Sequence, residues 1–311
     1  MQLEFSNFEI FARVLKGYDL DLKQLDRGSF SATLQQITYD SVLINHIAST
    51  RRFEVHGMPP PGLRTFGIPT TNSLPFTWRN KFSTGNTIQI YKQTTELEMV
   101  THPFFEAIDV SMPEETFNSL SHQWGYPELD KLIGTREMVV CHPDIMKNLR
   151  DKLQTICTTE NNNPESLKHD IGLQDSIKVG VPHLLAQALI TAETRIVKTA
   201  RAKRSRILKL AIDYVKKTPN DKVSLSQFCS ANDIHIRSLQ RAFIDHYEMS
   251  PKSYAKAYHL NSVYKKLLQS NTQTERIADI ASNHGFWHMS QFATDYRRHF
   301  GELPSETLKA R

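Results

Sequence analysis

Apolar and polar residues alternate along much of the first third of the chain. From about 30 to 110, runs such as 33–47, 86–92 and 104–112 place apolar side chains near every second position. Turn signals rich in Gly, Pro and Asn separate these runs, for example at 58–62. Alternation with a period of two is typical of half-buried strands. Many short strands between turns indicate a small sandwich or barrel.

The spacing becomes helical from about Pro113. Thr158–Ser166 has the composition of a polar loop, and Val181–Val197 is predicted to be an amphipathic helix. The apolar side of that helix comprises Leu184, Leu185, Ala188, Leu189, Ala192 and Ile196. Two roles remain open for the part of this face from Leu185 to Ala192. It could pair two protomers into a homodimer, or it could pack on the protein's own β region.

A basic segment divides the chain. We place a sensing or dimerisation domain at 1–198, a basic linker at 199–206 and a helical domain at 207–311. The helical domain opens with an apolar stripe from Ile207 to Val215, and Pro219 then ends that helix. The remainder is predicted to be short helices joined by tight turns.

The most informative pattern is an internal repeat within the last ninety residues. Four positions recur 53 residues later: Leu239, Phe243, Tyr247 and Pro251 match Phe292, Tyr296, Phe300 and Pro304. The spacing of four puts the aromatic and apolar members on one helical face, with proline just beyond the helix end. Asp233 and Gly285 occupy the preceding turns, where a positive φ is tolerated. Each copy is predicted to be a short helix, a turn and a longer helix, and helix 251–269 joins the copies.

A matched polar edge lies opposite each apolar face. The edge residues are Arg237, Ser238 and Arg241 in the first copy and Ser290, Gln291 and Thr294 in the second. Arg can pair with guanine, Gln with adenine, and Ser or Thr with either base. A solvated surface would explain each residue taken singly. Because the two sets match within a basic domain, we favour base readout.

Positive charge is concentrated in the same region. Residues 201–311 carry 19 Lys and Arg against 10 Asp and Glu, a net charge of +9. The first 200 residues carry a net charge of −4, and the whole chain a formal charge of +5. This asymmetry favours a polyanionic partner for the last third of the chain, although a basic solvated surface would also account for it.

The repeat resembles the DNA-binding domain of the AraC/XylS family over about 206–308. The motif GF–x5–F–x3–Y–x3–FG–x2–P, from Gly285 to Pro304, carries the resemblance. Two positions depart from the family pattern. Glu248 stands where Gly is common after the first recognition helix, and His259 stands where Arg is usual before Leu260.

The resemblance implies a mode of binding to double-stranded DNA. Both longer helices would enter successive major-groove segments on one DNA face, with helix 251–269 setting their separation. The expected phosphate contacts are Lys252, Lys256, Arg276, Arg297 and Arg298. The implied function is sequence-specific transcription regulation with RNA polymerase as a further partner. An activator is favoured, although no residue separates activation from repression.

The N-terminal region loosely resembles AraC-type regulators of the ethanolamine-regulator kind, through 22–34 and 60–69. That resemblance implies a small cupin-like β-barrel with appended helices that senses a small-molecule effector. The predicted fold class is therefore α+β, with this region preceding an all-α tandem helix-turn-helix domain. Candidate effector residues are Arg64, Phe66, Trp78, Tyr91, His102 and Phe105. Core packing is the competing explanation for the aromatic members, and an acidic effector paired with Arg64 is a conjecture.

The sequence does not favour an enzyme, and we expect neither a cofactor nor a bound metal. No HxH pair occurs within 30–115, and the P-loop, GxGxxG, HExxH and GxSxG motifs are absent. Three alternatives remain: a cupin-type enzyme, with or without metal, fused to a DNA-binding module; an effector-independent architectural DNA-binding protein; and an alkyl-transfer repair protein. The last needs an activated cysteine, and Cys141, Cys157 and Cys229 lack an evident basic partner in sequence.

Cysteine usage and the N-terminus indicate where the protein acts. Three unpaired cysteines suit a reducing compartment. The first residues lack the basic region of a signal peptide, and the most apolar stretch, 179–192, is too short to span a bilayer. We therefore expect a bacterial cytoplasmic, nucleoid-associated protein without a membrane partner.

Overall fold

The protein is described from a computed structural model. The structure describes all residues except 1, 71–73, 80, 93–95, 127–128, 130–132, 135, 193–201, 271–274 and 310–311. Contacts divide the chain into two compact units. The first unit comprises Met1–Asp21, Ser31–Thr50 and Val55–Lys198. The second comprises Leu22–Phe30, Arg51–Glu54 and Thr199–Arg311.

Twelve strands are present among the described residues. They are β1 (Gln2–Phe5), β2 (Asp19–Gln24), β3 (Ala32–Tyr39), β4 (Val42–Ser49), β5 (Phe53–Met58), β6 (Leu63–Pro69), β7 (Phe76–Trp78), β8 (Lys81–Ser83), β9 (Thr87–Tyr91), β10 (Leu97–Val100), β11 (Phe105–Pro113) and β12 (Met138–Val140). Seven form a sheet in the order β1-β3-β4-β11-β6-β9-β12, and five form a second sheet in the order β2-β5-β10-β7-β8.

The sheets are antiparallel wherever the pairing is described, as the alternation predicts. β3 and β4 pair from Ala32 with Ser49 to Tyr39 with Val42, which leaves a two-residue turn. Asp40 occupies that turn with φ of 54°, a conformation that Asp tolerates in tight hairpins. The predicted β region with appended helices is therefore confirmed, while neither sheet closes into the expected barrel among the described residues. The prediction missed β1 and β2, which precede its expected start at about residue 30.

Most of the described helices come after β11, and they make up the C-terminal third of the chain. They are α1 (Phe8–Val14), α2 (Glu114–Gln123), α3 (Pro143–Asn162), α4 (Ser166–His169), α5 (Ile171–Asp175), α6 (Val181–Ile190), α7 (Ala202–Lys217), α8 (Leu225–Ala231), α9 (Ile236–Tyr247), α10 (Pro251–Gln269), α11 (Ile277–Asn283), α12 (Met289–Phe300) and α13 (Pro304–Lys309). A π-helical turn, Ser176–Gly180, joins α5 to α6, and a 3-10 turn, Asn220–Lys222, precedes α8.

Helices cover one face of the seven-stranded sheet. Alternate residues of its strands, such as Ile44, Phe66 and Ile108, are buried in one apolar cluster with side chains of α2, α3 and α6. Alternation along a strand explains this arrangement, because every second side chain points to the same face. The remaining strand residues point to the opposite face, where polar side chains are frequent.

The structure corrects one prediction about the helices of the first unit and bears on one alternative that the sequence left open. The polar run at 158–166 is not a loop throughout, because α3 continues to Asn162 and buries Glu160. The face of α6 that could have paired two protomers is occupied within the unit: Leu185, Ala188 and Leu189 are buried in its core. Packing on the β region is therefore the alternative that the structure supports. The end of the predicted helix, at 193–197, lies outside the described residues.

The second unit joins the C-terminal helices to two short N-terminal segments. Leu22–Phe30 and Arg51–Glu54 belong to it although both fall inside the predicted N-terminal domain. The described part of the predicted linker, 202–206, is already the start of α7. Over the described residues, none of the helices combines the length and apolar character needed to cross a bilayer.

Candidate nucleic-acid interface

The predicted repeat corresponds to two helix-turn-helix modules. The first consists of α8 and α9, and the second consists of α11 and α12. Helices α9 and α12 are each 12 residues long, and their bounds differ by the 53 positions of the repeat. Asp233 has φ of 52° and Gly285 has φ of 83°. The two turn positions inferred from the sequence therefore adopt the predicted left-handed conformation.

The apolar face of each longer helix is buried. Leu239, Phe243 and Tyr247 are buried in the first module, and Phe292 and Tyr296 in the second. Helix α10, which has the predicted bounds 251–269, packs its own apolar residues against them; Tyr254 contacts the Phe243 ring edge-on, with ring centroids 5.3 Å apart. These contacts fix which side of α9 and of α12 faces solvent.

The solvent side carries the six predicted base-contacting residues. Arg237, Ser238, Arg241, Ser290, Gln291 and Thr294 are all exposed. We call the first three and the last three the two recognition edges. Each edge lies in the N-terminal half of its helix, the part that a helix-turn-helix protein presents to the major groove. The His235 ring accepts a hydrogen bond from the Arg237 backbone N–H at 3.2 Å and so caps the first helix.

An acidic residue forms an ion pair with Arg241 of the first edge. The Arg241 Nε atom lies 3.9 Å from the Asp245 carboxylate, one helical turn away, while the Arg241 side chain stays 74% exposed. Arg204 of α7 pairs with the same carboxylate. Asp245 therefore links the described start of α7 to the first recognition edge.

The predicted phosphate contacts differ in their surroundings. Lys252, Arg276, Arg297 and Arg298 are exposed. Lys256 is only partly exposed, and its ammonium group lies 2.6 Å from the Asp295 carboxylate of α12. Because this ion pair already holds its charge, Lys256 is the least available of the five for a phosphate.

A tryptophan beside the second edge was not predicted. Trp287 is 63% exposed, and its indole N–H donates to the Asp221 carboxylate at 3.0 Å. It borders a groove of about 540 Å³ together with Lys252, His288 and Gln291. The sequence signal was its place directly after the Gly-Phe pair of the turn, where a large exposed ring would stand next to the bound DNA.

The family comparison agrees with this geometry. A family model described as a helix-turn-helix domain matches residues 228–310. The C-terminal region is a helix-turn-helix domain of the AraC/XylS type. Similar curated proteins include "XylDLEGF operon transcriptional activator 1" of Pseudomonas putida, 30% identical over 100 residues, which are 32% of this chain and 30% of that protein. The "Probable thc operon regulatory protein" of Rhodococcus erythropolis is 30% identical over 103 residues, 33% of this chain and 31% of its own.

Among solved structures, two align with most of the chain at low sequence identity and low TM-score. The AraC-like transcriptional activator CuxR aligns with a TM-score of 0.45 and 13% identity, covering 90% of this chain and 98% of its own. ToxT from Vibrio cholerae O395 aligns with a TM-score of 0.32 and 12% identity, covering 94% and 98%. The chain matches only about 30% of the length of each of these two curated relatives.

The six candidate effector residues do not share one site. Phe66 is buried on the helix-covered face of the seven-stranded sheet, and Arg64 on the same face pairs with Glu114 and lies 5.5 Å from the Phe117 ring centroid. Trp78 and Tyr91 stack elsewhere, with ring centroids 4.7 Å apart.

Phe105 and His102 complete the set. Phe105 belongs to the same apolar cluster as Trp78 and Tyr91 and packs edge-on against Phe76 at 5.1 Å. His102 is half-buried just before β11. Phe66 and Tyr91 are separated because they point to opposite faces of the seven-stranded sheet, whereas Trp78 lies in the five-stranded sheet. Arg64 already has a carboxylate partner, so the conjecture of an acidic effector bound by this arginine loses its support.

A row of polar residues crosses the seven-stranded sheet on the face away from the helices. The pairing brings Gln36 beside Asn45, Asn45 beside Asp109, Asp109 beside Gly67, and Gly67 beside Gln89. Asn45, Asp109 and Gln89 are all buried. Gly67 leaves room in the row for the Tyr91 hydroxyl, since a Cβ there would lie 2.7 Å from that oxygen.

Asp109 is the acidic centre of this row. It accepts hydrogen bonds from the Tyr18 hydroxyl at 2.8 Å and the Tyr91 hydroxyl at 3.1 Å. Burial raises the pKa of Asp109 to about 6, while the hydrogen bonds from the two tyrosines act in the opposite direction. Sequence reasoning missed this site, although one signal existed: a carboxylate flanked by the apolar residues Ile108 and Val110 in the middle of strand 105–113.

The cysteines have the opposite of an activated environment. Cys141 and Cys157 are buried, and burial raises the pKa of each thiol to about 12. The pKa of Cys229 is also raised by burial. A thiol that resists ionisation is a poor nucleophile, so these surroundings weigh against the alkyl-transfer alternative. Within the part of the chain that the structure describes, no group of three His, Cys, Asp or Glu residues is placed to hold a metal ion.

Proposed function

We propose that this protein is a sequence-specific DNA-binding transcription regulator, and that it acts as an activator. The observation that carries the proposal is the pair of exposed recognition edges, 53 residues apart, on two helices whose opposite faces are buried. Two curated relatives of the domain are named as an operon activator and an operon regulatory protein, which supports a role in transcription. An activator acts through RNA polymerase, which is therefore a proposed partner.

In the proposed complex the two edges enter successive major-groove segments of one DNA face. Arg237 and Arg241 would pair with guanines, and Gln291 with adenine. Exposed cations beside the edges, including Lys252 and Arg276, would contact phosphates and set the register of the helices on the duplex. The separation of the two segments would be about one helical turn, roughly 34 Å.

Selection of bound duplexes from a random pool by the full chain tests this proposal. We expect a bipartite site whose two halves are centred about 10 base pairs apart. The affinity for that site should fall steeply with salt, by about 0.9 logarithmic units per neutralised phosphate for each tenfold increase. Binding without any enriched sequence would support an architectural protein instead.

We further propose that a small-molecule effector controls the protein through the first unit. The polar row around Asp109 supports this, because a buried carboxylate that accepts hydrogen bonds from two phenol groups suits a ligand that supplies hydrogen-bond donors. The effector would thus carry amine or hydroxyl groups, displacing the half-buried Tyr18 from Asp109.

Thermal unfolding in a panel of amines, polyols and organic acids tests the effector class. Stabilisation by a donor-bearing compound should be lost in Asp109→Asn and kept in Glu115→Gln, a change at an exposed carboxylate. Stabilisation by acids alone, unaffected by Asp109→Asn, would contradict the proposed site.

A further inference from the structure

Two short N-terminal segments are part of the DNA-binding unit. We call Leu22–Phe30 and Arg51–Glu54 the docking segments, since both belong to the same compact unit as the C-terminal helices. The chain continues directly from them into strands of the first unit, at Asp21 and at Val55. The docking segments are therefore covalently continuous with the first unit and contact the C-terminal helices through hydrogen bonds.

Glu54 joins one docking segment to the first module. Its carboxylate is 4% exposed and accepts a hydrogen bond from the Tyr247 hydroxyl at 2.9 Å. The Tyr254 hydroxyl lies 3.0 and 3.1 Å from the two carboxylate oxygens. Tyr247 is the last residue of α9, and Tyr254 lies in the first turn of α10. One buried carboxylate thus holds the junction between a recognition helix and the connecting helix.

Arg52 completes this attachment at the end of α9. Its guanidinium donates to the Tyr247 carbonyl at 3.0 Å and to the Glu248 carboxylate at 2.5 Å. A cation at this place satisfies a carbonyl that a helix end leaves unpaired and interacts favourably with the helix dipole.

The other docking segment holds the end of the second recognition helix. The Gln24 side chain donates to the His299 carbonyl at 2.7 Å, and the Gly28 backbone N–H donates to the same oxygen at 3.0 Å. The Gln24 backbone also forms two hydrogen bonds with the Asn261 side chain of α10. The backbone N–H donates to Oδ1 at 2.9 Å, and the backbone carbonyl accepts from Nδ2 at 2.8 Å.

The docking segments therefore form hydrogen bonds with the C-terminal ends of α9 and α12 and with Tyr254 and Asn261 of α10. These ends are opposite to the recognition edges, which leaves the edges free for DNA. We propose that the docking segments set the separation of the two recognition helices, with Glu54 and Gln24 as positioning residues. This inference rests on the proposed DNA binding.

The attachment is suited to two distinct states because its polar groups are buried. A buried carboxylate that loses one donor keeps its desolvation cost, so partial detachment is unfavourable. Glu54 and the two tyrosine hydroxyls are thus expected to be engaged together or released together. A change in the strands that continue from the docking segments would then alter the spacing that the protein prefers on DNA.

Binding to duplexes of altered spacing tests this proposal in the full chain. The duplexes carry the selected half-sites at the selected spacing or with one base pair added or removed. For the unaltered protein we expect each shift to weaken binding by at least about tenfold. Glu54→Gln should reduce that penalty to about threefold or less while leaving the affinity for a single half-site unchanged.

Tyr254→Phe removes one donor to Glu54 with little change of shape and should lower the spacing penalty in the same direction. Glu115→Gln, at an exposed site, is the matched control and should keep the full penalty. Folded Glu54→Gln and Tyr254→Phe proteins with the unaltered penalty would overturn the inference while leaving the proposed function intact. Absence of any half-site binding by the unaltered protein would overturn both.

Discussion

At the scale of single residues, burial holds two histidines of the second unit in the neutral form. Burial is the main cause that lowers the pKa of His259 to about 4, and the nearby His284 adds to it. The pKa of His299 is also lowered to about 4, chiefly by burial, with Arg27 and Lys256 contributing. The His299 ring lies 3.0 Å from the Gln24 carbonyl and, when neutral, can donate to it.

These histidines predict a pH dependence of stability. Between pH 4 and about 6.5 each of these two histidines binds more protons in the unfolded chain than in the folded chain, so their contribution to stability falls as the pH decreases through this window. The raised pKa of Asp109 acts in the opposite direction. For His299 the loss is about 3 kcal/mol by pH 4. Urea unfolding at several pH values should show a shallower dependence in His299→Gln than in the unaltered protein. The exposed His122→Gln should keep the original slope, and an equal slope in all three would contradict the assignment.

Lys252 provides a residue-scale test of the phosphate contacts. It is exposed at the start of α10, beside the groove that contains Gln291. Lys252→Ala should weaken binding to all sequences by a similar factor and lower the slope of log affinity against log salt by about 0.9. Filter binding across a salt series measures both. A change of preferred sequence without a change in slope would place Lys252 among the base contacts instead.

At the scale of elements, the two recognition helices end differently. Gly301 ends α12 with φ of 81°, and a Cβ at this position would lie 2.9 Å from the Ser29 Cα. Glu248 ends α9 with φ of 53°, a conformation that costs a non-glycine residue about 1–2 kcal/mol. The ion pair with Arg52 offsets part of this cost. The departure from glycine at Glu248 thus coincides with an attachment point of a docking segment.

Substitutions at these two ends should change stability by different amounts. Gly301→Ala should lower the free energy of unfolding by more than about 1 kcal/mol, since it adds both strain and a clash with a docking segment. Glu248→Gly should change it by less than about 1 kcal/mol, because relief of strain and loss of the ion pair oppose each other. Urea unfolding measures both. Equal losses of unfolding free energy in the two variants would contradict the expectation that the two helix ends differ in strain.

Local periodicity explains which elements could be predicted from the sequence. The repeat fixed α9, α10 and α12 because spacings of four and a proline after each helix are local signals. The extent of α3 was missed because its last turn, rich in Asn, resembles a loop. The effector candidates lie at separate places for another reason. The alternation of apolar and polar residues predicts strands, but it does not show which of the two sheets each strand belongs to. Trp78 and Phe66 could therefore not be separated in advance.

At the scale of the whole molecule, the division into units depends on contacts that sequence cannot supply. Glu54 and Tyr247 are 193 residues apart, and Gln24 and His299 are 275 apart. The basic segment at 199–206 indicated a boundary between two domains. No pattern of neighbouring residues at Leu22–Phe30 or Arg51–Glu54 indicated that these segments complete the DNA-binding unit. The recognition edges were predictable because each lies within one short helix, whereas the docking segments were not.

Because two N-terminal segments belong to the second unit, we predict that the same substitutions affect stability differently in the full chain and in a fragment spanning 199–311. In the full chain, Tyr247→Phe combined with Tyr254→Phe leaves Glu54 without its phenol donors and should lower stability by about 1–3 kcal/mol. In the fragment, which lacks Glu54, the same pair of changes should alter stability by less than about 0.5 kcal/mol. Urea unfolding of the four proteins measures the difference. Equal effects in both contexts would contradict a structural role for Glu54 in this unit.

The most direct test of base readout by the two recognition edges is a comparison of the sequences selected by three full-length proteins. Arg241→Ala should relax selectivity in one half-site and Gln291→Ala in the other, each by about 1–3 kcal/mol at the affected base pair. Lys252→Ala, the matched control, should select the same sequence as the unaltered protein. Unchanged selectivity in both edge variants would contradict the account.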